Sequence, residues 1–154
     1  MATKQNQLGL QAPDGSYYVT TTDGAGNLSG VGAGLNPSGA TILTSSSGNV
    51  AAAAATATLT SAATQTAYLS GFLFSGAGAT GASVVSGTIT GLLGGTHTFT
   101  VSVPAGASLA VTPIFVDYNP PVPASAVNVN IVVSVPSLGA GNTNSSISAW
   151  GYRV

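Results

Sequence analysis

The chain has 154 residues, and only five carry a formal charge: Lys4, Asp14, Asp23, Asp117 and Arg153. An ordinary soluble domain is about 25% charged; this one is 3%. Two cations cannot neutralise a nucleic-acid backbone, a net charge of −1 steers nothing over distance, and one His with no Cys and no Glu offers little to acid–base, thiol or zinc chemistry.

A freely floating monomer keeps a charged, patch-free surface. This chain does not, so its surface reads as made for contact with more protein. Its 44% apolar content opposes disorder, because disordered chains are poor in apolar residues and rich in net charge. The polar start, Met1 to Gln7, has no apolar core of a secretory leader. No apolar run approaches the about 20 residues of a spanning helix, so no membrane partner is expected. The lack of Cys fits synthesis in a reducing cytosol and leaves stability to packing and to neighbouring subunits.

Residues 1–49 are sparse in apolar side chains and dense in Gly, Ser, Thr and Asn. Within them, Ser16 to Thr22 is rich in β-formers and lies between the turn signals Pro13-Asp14-Gly15 and Asp23-Gly24. With Leu28 it reads as a hairpin-like piece. With the remainder, through Gly30 to Gly34 and Asn36-Pro37-Ser38-Gly39, the segment reads as an extended arm or a loosely tied subdomain.

From residue 50 the pattern tightens into a domain of 50–154. Val50 to Ala57 is rich in Ala, the best helix former, yet Thr56, Thr58 and Leu59 continue it as an alternating strand. Strands are expected at Ala67 to Phe74, Ser83 to Thr90, Thr98 to Val103, Leu109 to Tyr118, Val127 to Val135 and Ser146 to Tyr152. Phe99, Val101 and Val103 share one face, as do the odd positions from Val127 to Val135. Gly-rich and Pro-rich breakers bound the strands, with Asn119-Pro120-Pro121 expected to end the strand that holds Asp117. The Val127 to Val135 run has no charge, so it should lie inside its sheet or under a partner. Short strands at this spacing point to an all-β sandwich or barrel.

Chemistry finds little purchase here. His97 and Asp117 with a Ser could form a triad only if the fold joined them, and no Gly-x-Ser-x-Gly elbow supports that. Asp14 and Asp23 sit in Asp-Gly turns, which explains them without a carboxylate pair. Gly30 to Gly34 lacks the Lys-Ser or Lys-Thr of a phosphate loop, and Asp23 to Asn27 lacks the acid ladder of a calcium loop. No catalytic residue, metal ligand or cofactor is expected. Tyr68, Phe72 and Phe74 read as one strand face, and Trp150 and Tyr152 as another. Core packing is the first account of such aromatics, and an exposed platform for sugar or protein the second. Arg153, if buried, calls for a carboxylate such as Asp117 or the terminal carboxylate.

Several segments together resemble a family of small tailed-bacteriophage virion proteins of the head decoration, or cement, type. They are Ala67-Tyr68-Leu69-Ser70-Gly71-Phe72, Gly76-Ala77-Gly78-Ala79-Thr80, Ser83-Val84-Val85 and Thr88 to Leu92. Val103-Pro104-Ala105-Gly106, Asn119 to Ser125, Val135-Pro136, Gly139 to Asn144 and the closing Gly151-Tyr152 continue the likeness. Pro13 to Ser16 and Thr22 to Leu28 resemble the start of phage head-associated proteins. The resemblance implies a jelly-roll-like antiparallel β-sandwich on the capsid exterior, made in the host cytoplasm. It implies no catalytic residues. The expected partners are further copies of the chain, as a homotrimer, and the major capsid protein. The residues expected to make these contacts are Tyr17, Tyr18 and Leu28 in the arm, and Trp150 and Tyr152 in the last strand. The arm is the expected capsid-binding element. An adhesive or carbohydrate-binding module of a tail fibre or spike is the alternative.

Overall fold

The computed structural model describes the backbone of residues 8–11, 17–22 and 28–29, and describes residues 37 and 39–154 in full. The chain divides into two compact units, 1–40 and 41–154. In the first, strands β1 (Leu8–Gln11), β2 (Tyr17–Thr22) and β3 (Leu28–Ser29) form a three-stranded antiparallel sheet in that order. Leu8 lies opposite Thr20, and Thr22 opposite Leu28. The hairpin expected at Ser16 to Leu28 is thus β2 paired with β3. The stretch is nonetheless a small sheet and not a wholly extended arm, because Leu8–Gln11 adds a strand too short to show alternation.

The second unit is all β. Its strands are β4 (Thr41–Ser46), β5 (Ala55–Leu59), β6 (Ala67–Ala77), β7 (Ser83–Thr90), β8 (His97–Val103), β9 (Ile114–Pro123), β10 (Ile131–Val135) and β11 (Asn144–Arg153). They make two antiparallel four-stranded sheets, ordered β4-β11-β6-β9 and β5-β10-β7-β8, consistent with a β-sandwich. Four pairings are nested: β4 with β11, β5 with β10, β6 with β9, and β7 with β8. The chain runs as one long hairpin whose paired arms alternate between the sheets. The interior is largely apolar. Ala55, Ala57, Leu69, Phe74, Ile131, Val133, Val135, Leu138 and Ile147 are fully buried, and Phe72 packs on Phe99 with ring centroids 5.0 Å apart. Ala and Val dominate the inward positions of β5 and β10, which lets the large rings of β6 fill the space between the sheets.

Five expectations need correction. Residues 41–49, assigned to the arm, instead hold strand β4, an integral edge of the sandwich hydrogen-bonded to β11. The Ala-rich start of the domain is no regular element: Val50 makes an isolated bridge to Ser145, Ala52 has φ 53°, and the strand begins at Ala55. The strand at Val127 to Val135 is shorter than its pattern. Asn128 adopts φ 60° and its N–H turns to the Gln65 carbonyl, so Val127 is 56% exposed and β10 starts at Ile131. β10 does lie inside its sheet, between β5 and β7, as its lack of charge requires. Asn119-Pro120-Pro121 does not end a strand, since β9 runs on to Pro123. β9 is an edge strand with an irregular register there, and at such a place the missing proline N–H leaves no ladder bond unmade.

The fifth correction concerns Tyr68. A register shift between Leu69 and Gly71 displaces the alternation of β6 by one residue. Tyr68 therefore lies opposite Tyr152 on the outer face, while Phe72 and Phe74 enter the core. Arg153 is not buried, so the condition for a carboxylate partner is not met; its Nη1 donates to the Thr60 carbonyl at 3.2 Å.

Candidate functional site

In the β4-β11-β6-β9 sheet, alternation sends every second residue outward. β11 directs Ile147 and Ala149 inward and Ser148 and Trp150 outward. The register then builds the site row by row. Trp150 stands opposite Thr44 on one side and Gly71 on the other, and Tyr152 stands opposite Ile42 and Tyr68. Gly71 in turn faces Asp117 of β9, and Leu73 faces Phe115.

Gly71 decides how this face is shaped. A Cβ there would stand 2.6 Å from the Trp150 ring and 2.5 Å from the Val116 carbonyl oxygen. Only a glycine lets the indole lie flat across the sheet. Lying there, it meets the Phe115 ring with centroids 5.6 Å apart and planes inclined by 30°. Tyr68 and Tyr152 stack beside it at 4.8 Å and 13°. Burial raises the Tyr152 hydroxyl above its ordinary pKa, and the neighbouring Tyr68 hydroxyl adds to the rise. Tyr118, near the end of the same sheet, is raised by burial alone.

The result is an aromatic and aliphatic strip open to solvent. Phe115 is 66% exposed, Ile42 57% and Leu73 40%, with Trp150 half-buried between them. Beside the indole lies a shallow hollow of about 290 Å³ lined by Thr44, Ser45, Ser46, Ser148, Ala149 and Trp150. The hydroxyls of Ser46 and Ser148 bond to each other at 3.1 Å. Asp117 is the only charged side chain in the central register of this strip among the described residues.

The outer face of the second sheet is different in kind. Its outward positions are Thr56, Thr58, Ser86, Thr88, Thr90, Thr98, Thr100, Ser102 and Ser134, with Val84 and Val132 the apolar exceptions. Thr56 Oγ1 and Ser134 Oγ share a hydrogen bond of 2.9 Å. No aromatic side chain points outward there, since Phe99 faces the core and packs over Gly87.

Of the five residues expected to make contacts, Trp150 lies in the strip, and Tyr152 lies in its row but is only 8% exposed. Tyr17, Tyr18 and Leu28 have backbones in β2 and β3, and their side chains lie outside the described residues. Phe115, Ile42 and Leu73 are new members. Sequence flags the runs that hold Phe115 and Ile42, though not which member of each run is exposed. Each sits in an unbroken apolar run, Ile114-Phe115-Val116 or Ile42-Leu43, and a strand cannot bury neighbours on both faces at a sheet surface. His97 and Asp117 belong to different sheets, β8 and β9. Asp14 and Asp23 lie outside the described residues. No group of three His, Cys, Asp or Glu that could hold a metal occurs among the described residues. No family model matches the chain, and no curated protein matches it.

Proposed function

We propose that this protein is a structural component of a tailed-phage particle, one that decorates the capsid exterior and binds through the outer face of its β4-β11-β6-β9 sheet. The observation that carries the reading is that face: a nearly uncharged strip in which Trp150, Phe115, Leu73 and Ile42 stand open to water. Such strips on otherwise polar proteins mark sites of protein contact, and interface centres are enriched in aromatics and poor in charge. Three further points support it. The sequence segments resemble phage head proteins. The nested strand pairing is what a jelly roll requires, an architecture found in viral capsid and lectin domains. The fold itself does not fix a function. Finally, 3% charge leaves apolar and backbone contacts as the means of binding.

The action is passive. A closed homo-oligomer seated across neighbouring capsomers ties them together, each contact gaining about 25 cal/mol per Å² of apolar area before ordering costs are subtracted. Binding of this kind persists in high salt, since screening acts on charges. Co-sedimentation of the purified chain with capsids lacking it, in low and in high salt, tests the reading. Salt-independent pelleting supports it, and failure to pellet in either condition contradicts it. The expectation that residues 1–48 form the attachment element is testable too, but the deletion must stop at residue 40, because a cut at 48 removes strand β4.

A second reading is a carbohydrate-binding module of a fibre or spike, favoured by one observation. The hollow beside Trp150 puts an aromatic ring next to the hydroxyls of Thr44, Ser46 and Ser148, the kind of surface on which a sugar ring stacks and bonds. Quenching or enhancement of the single Trp by a panel of glycans, lost in Trp150→Ala, separates it from the first.

A further inference from the structure

We infer that the free edge of strand β8 pairs antiparallel with β8 of a second copy of this chain, joining two β5-β10-β7-β8 sheets into one eight-stranded sheet about a two-fold axis at Thr100.

A sandwich of two open sheets has four edges, and a free edge is a template for further pairing unless something blocks it. Three of the four are managed. β9 carries Asp117, Pro120, Pro121 and Pro123 and an irregular register against β6. β5 and β4 are tied to each other, because the Thr58 N–H that β10 leaves free is taken by Ser45 Oγ at 3.0 Å. β8 has none of these devices. It holds no Pro and no Lys, Arg, Asp or Glu, and its register with β7 runs unbroken from Ser83 opposite Val103 to Ile89 opposite His97. Among the described residues, no strand lies on its other side.

The occupant follows from the strand's own sequence. Laid antiparallel on itself with Thr100 at the centre, β8 matches Thr98 with Ser102 and Thr100 with Thr100 on the outer face. On the inner face it matches Phe99 with Val101 and, at the strand ends, the exposed His97 with Val103. In the centre hydroxyls meet hydroxyls and apolar side chains meet apolar ones, which are favourable cross-strand pairs. The two-fold axis normal to the sheet keeps both cores on the same side. The core also asks for cover here. Val101 and Val103 are buried, but Phe99 between β7 and the free edge is only half-buried, although it packs on Phe72. A neighbouring Val101 would close it over.

The edges favour a pair over the homotrimer that the resemblance implies. A two-fold contact uses one edge twice, whereas a ring built by strand addition needs two different free edges. The inference is independent of what the aromatic strip binds.

The test uses the full chain and its lack of Cys. Light scattering across a concentration series should give twice the chain mass for the wild type. Thr100→Lys, which places two ammonium groups on the axis from an exposed outward position, should halve it while circular dichroism stays unchanged. Thr100→Cys under mild oxidation should run as a disulfide-linked pair, and Ser86→Cys, one strand further in, should not. Single-chain mass in the wild type at its highest soluble concentration overturns the inference. So does an oligomer whose mass Thr100→Lys leaves unchanged, or equal cross-linking at the two positions.

Discussion

The two sheets of the sandwich share one core but turn very different surfaces outward. The β4-β11-β6-β9 sheet shows rings and aliphatic chains, whereas the β5-β10-β7-β8 sheet shows threonine and serine hydroxyls. Neither surface is charged to any extent, so charge cannot be what separates them. The separation lies in what each side chain does with water. Thr and Ser satisfy their hydroxyls in the solvent or across the strand, as Thr56 and Ser134 do, and they suit a pleated, half-exposed surface. Trp150 and Phe115 leave apolar area wet, a cost that association with another surface removes. Hydroxyl groups hydrate a face without charge, as the Thr and Ser of the second sheet do. That leaves the aromatic face free to be specialised for contact.

The comparison can be broken in several ways. The largest effect should come from the part both faces share. Phe72→Ala empties the space between the sheets, where Phe72 is 1% exposed and packed at a tilt against Phe99. A loss of about 3–5 kcal/mol in urea unfolding is expected, with both faces lost in one transition. Next is Gly71→Val. Its Cβ would collide with the Val116 carbonyl and the indole, and overpacking of this kind costs about 1–3 kcal/mol. Because Trp150 is the only tryptophan, its emission should shift red as the ring lifts from the sheet.

Smaller still is the direct contrast of the two faces. Trp150→Ala removes a half-buried ring and its partner contact with Phe115, and should cost about 1 kcal/mol. Thr88→Ala on the hydroxyl sheet should stay within about 0.5 kcal/mol. Only the first should weaken binding to the proposed capsid partner. The smallest effect concerns alkaline pH. Tyr152 and Tyr118, raised mainly by burial, bind their protons more tightly in the folded chain than an ordinary Tyr does. Their contribution to stability is therefore complete below about pH 10 and fades as pH rises through their folded values. Tyr152→Phe should flatten that decline in pH-dependent thermal melts.

Much of the fold was legible in the chain. Alternation at Phe99 to Val103 and Ile131 to Val135, with glycine and proline breakers, defined strands whose inward residues are the observed core. What stayed hidden were features set by partners distant in sequence. Thr41 to Ser46 is polar enough to read as arm, and becomes a strand only because β11 supplies its ladder. The register shift at Ser70 turns Tyr68 outward, and nothing in Tyr68-Leu69-Ser70-Gly71 announces it. Asn128 in the left-handed region ends an alternation that looks continuous in the sequence, and Asn tolerates that conformation. The aromatic face was half visible. Trp150 stands out by residue type, whereas Phe115 lies between Ile114 and Val116 and Ile42 lies beside Leu43. No single-sequence pattern tells which member of such a run will face water. Gly71 gains its meaning only from the indole that crosses it.

The central claim is that the aromatic sheet, and not the hydroxyl sheet, is the contact face. Capsid co-sedimentation of two double variants tests it most directly: Trp150→Ala with Phe115→Ala on one face, and Thr56→Ala with Thr88→Ala on the other, each shown to be folded by circular dichroism. The account predicts that the first loses binding in low and high salt alike while the second pellets as the wild type does. Equal binding by both variants, or loss confined to the hydroxyl face, would contradict it.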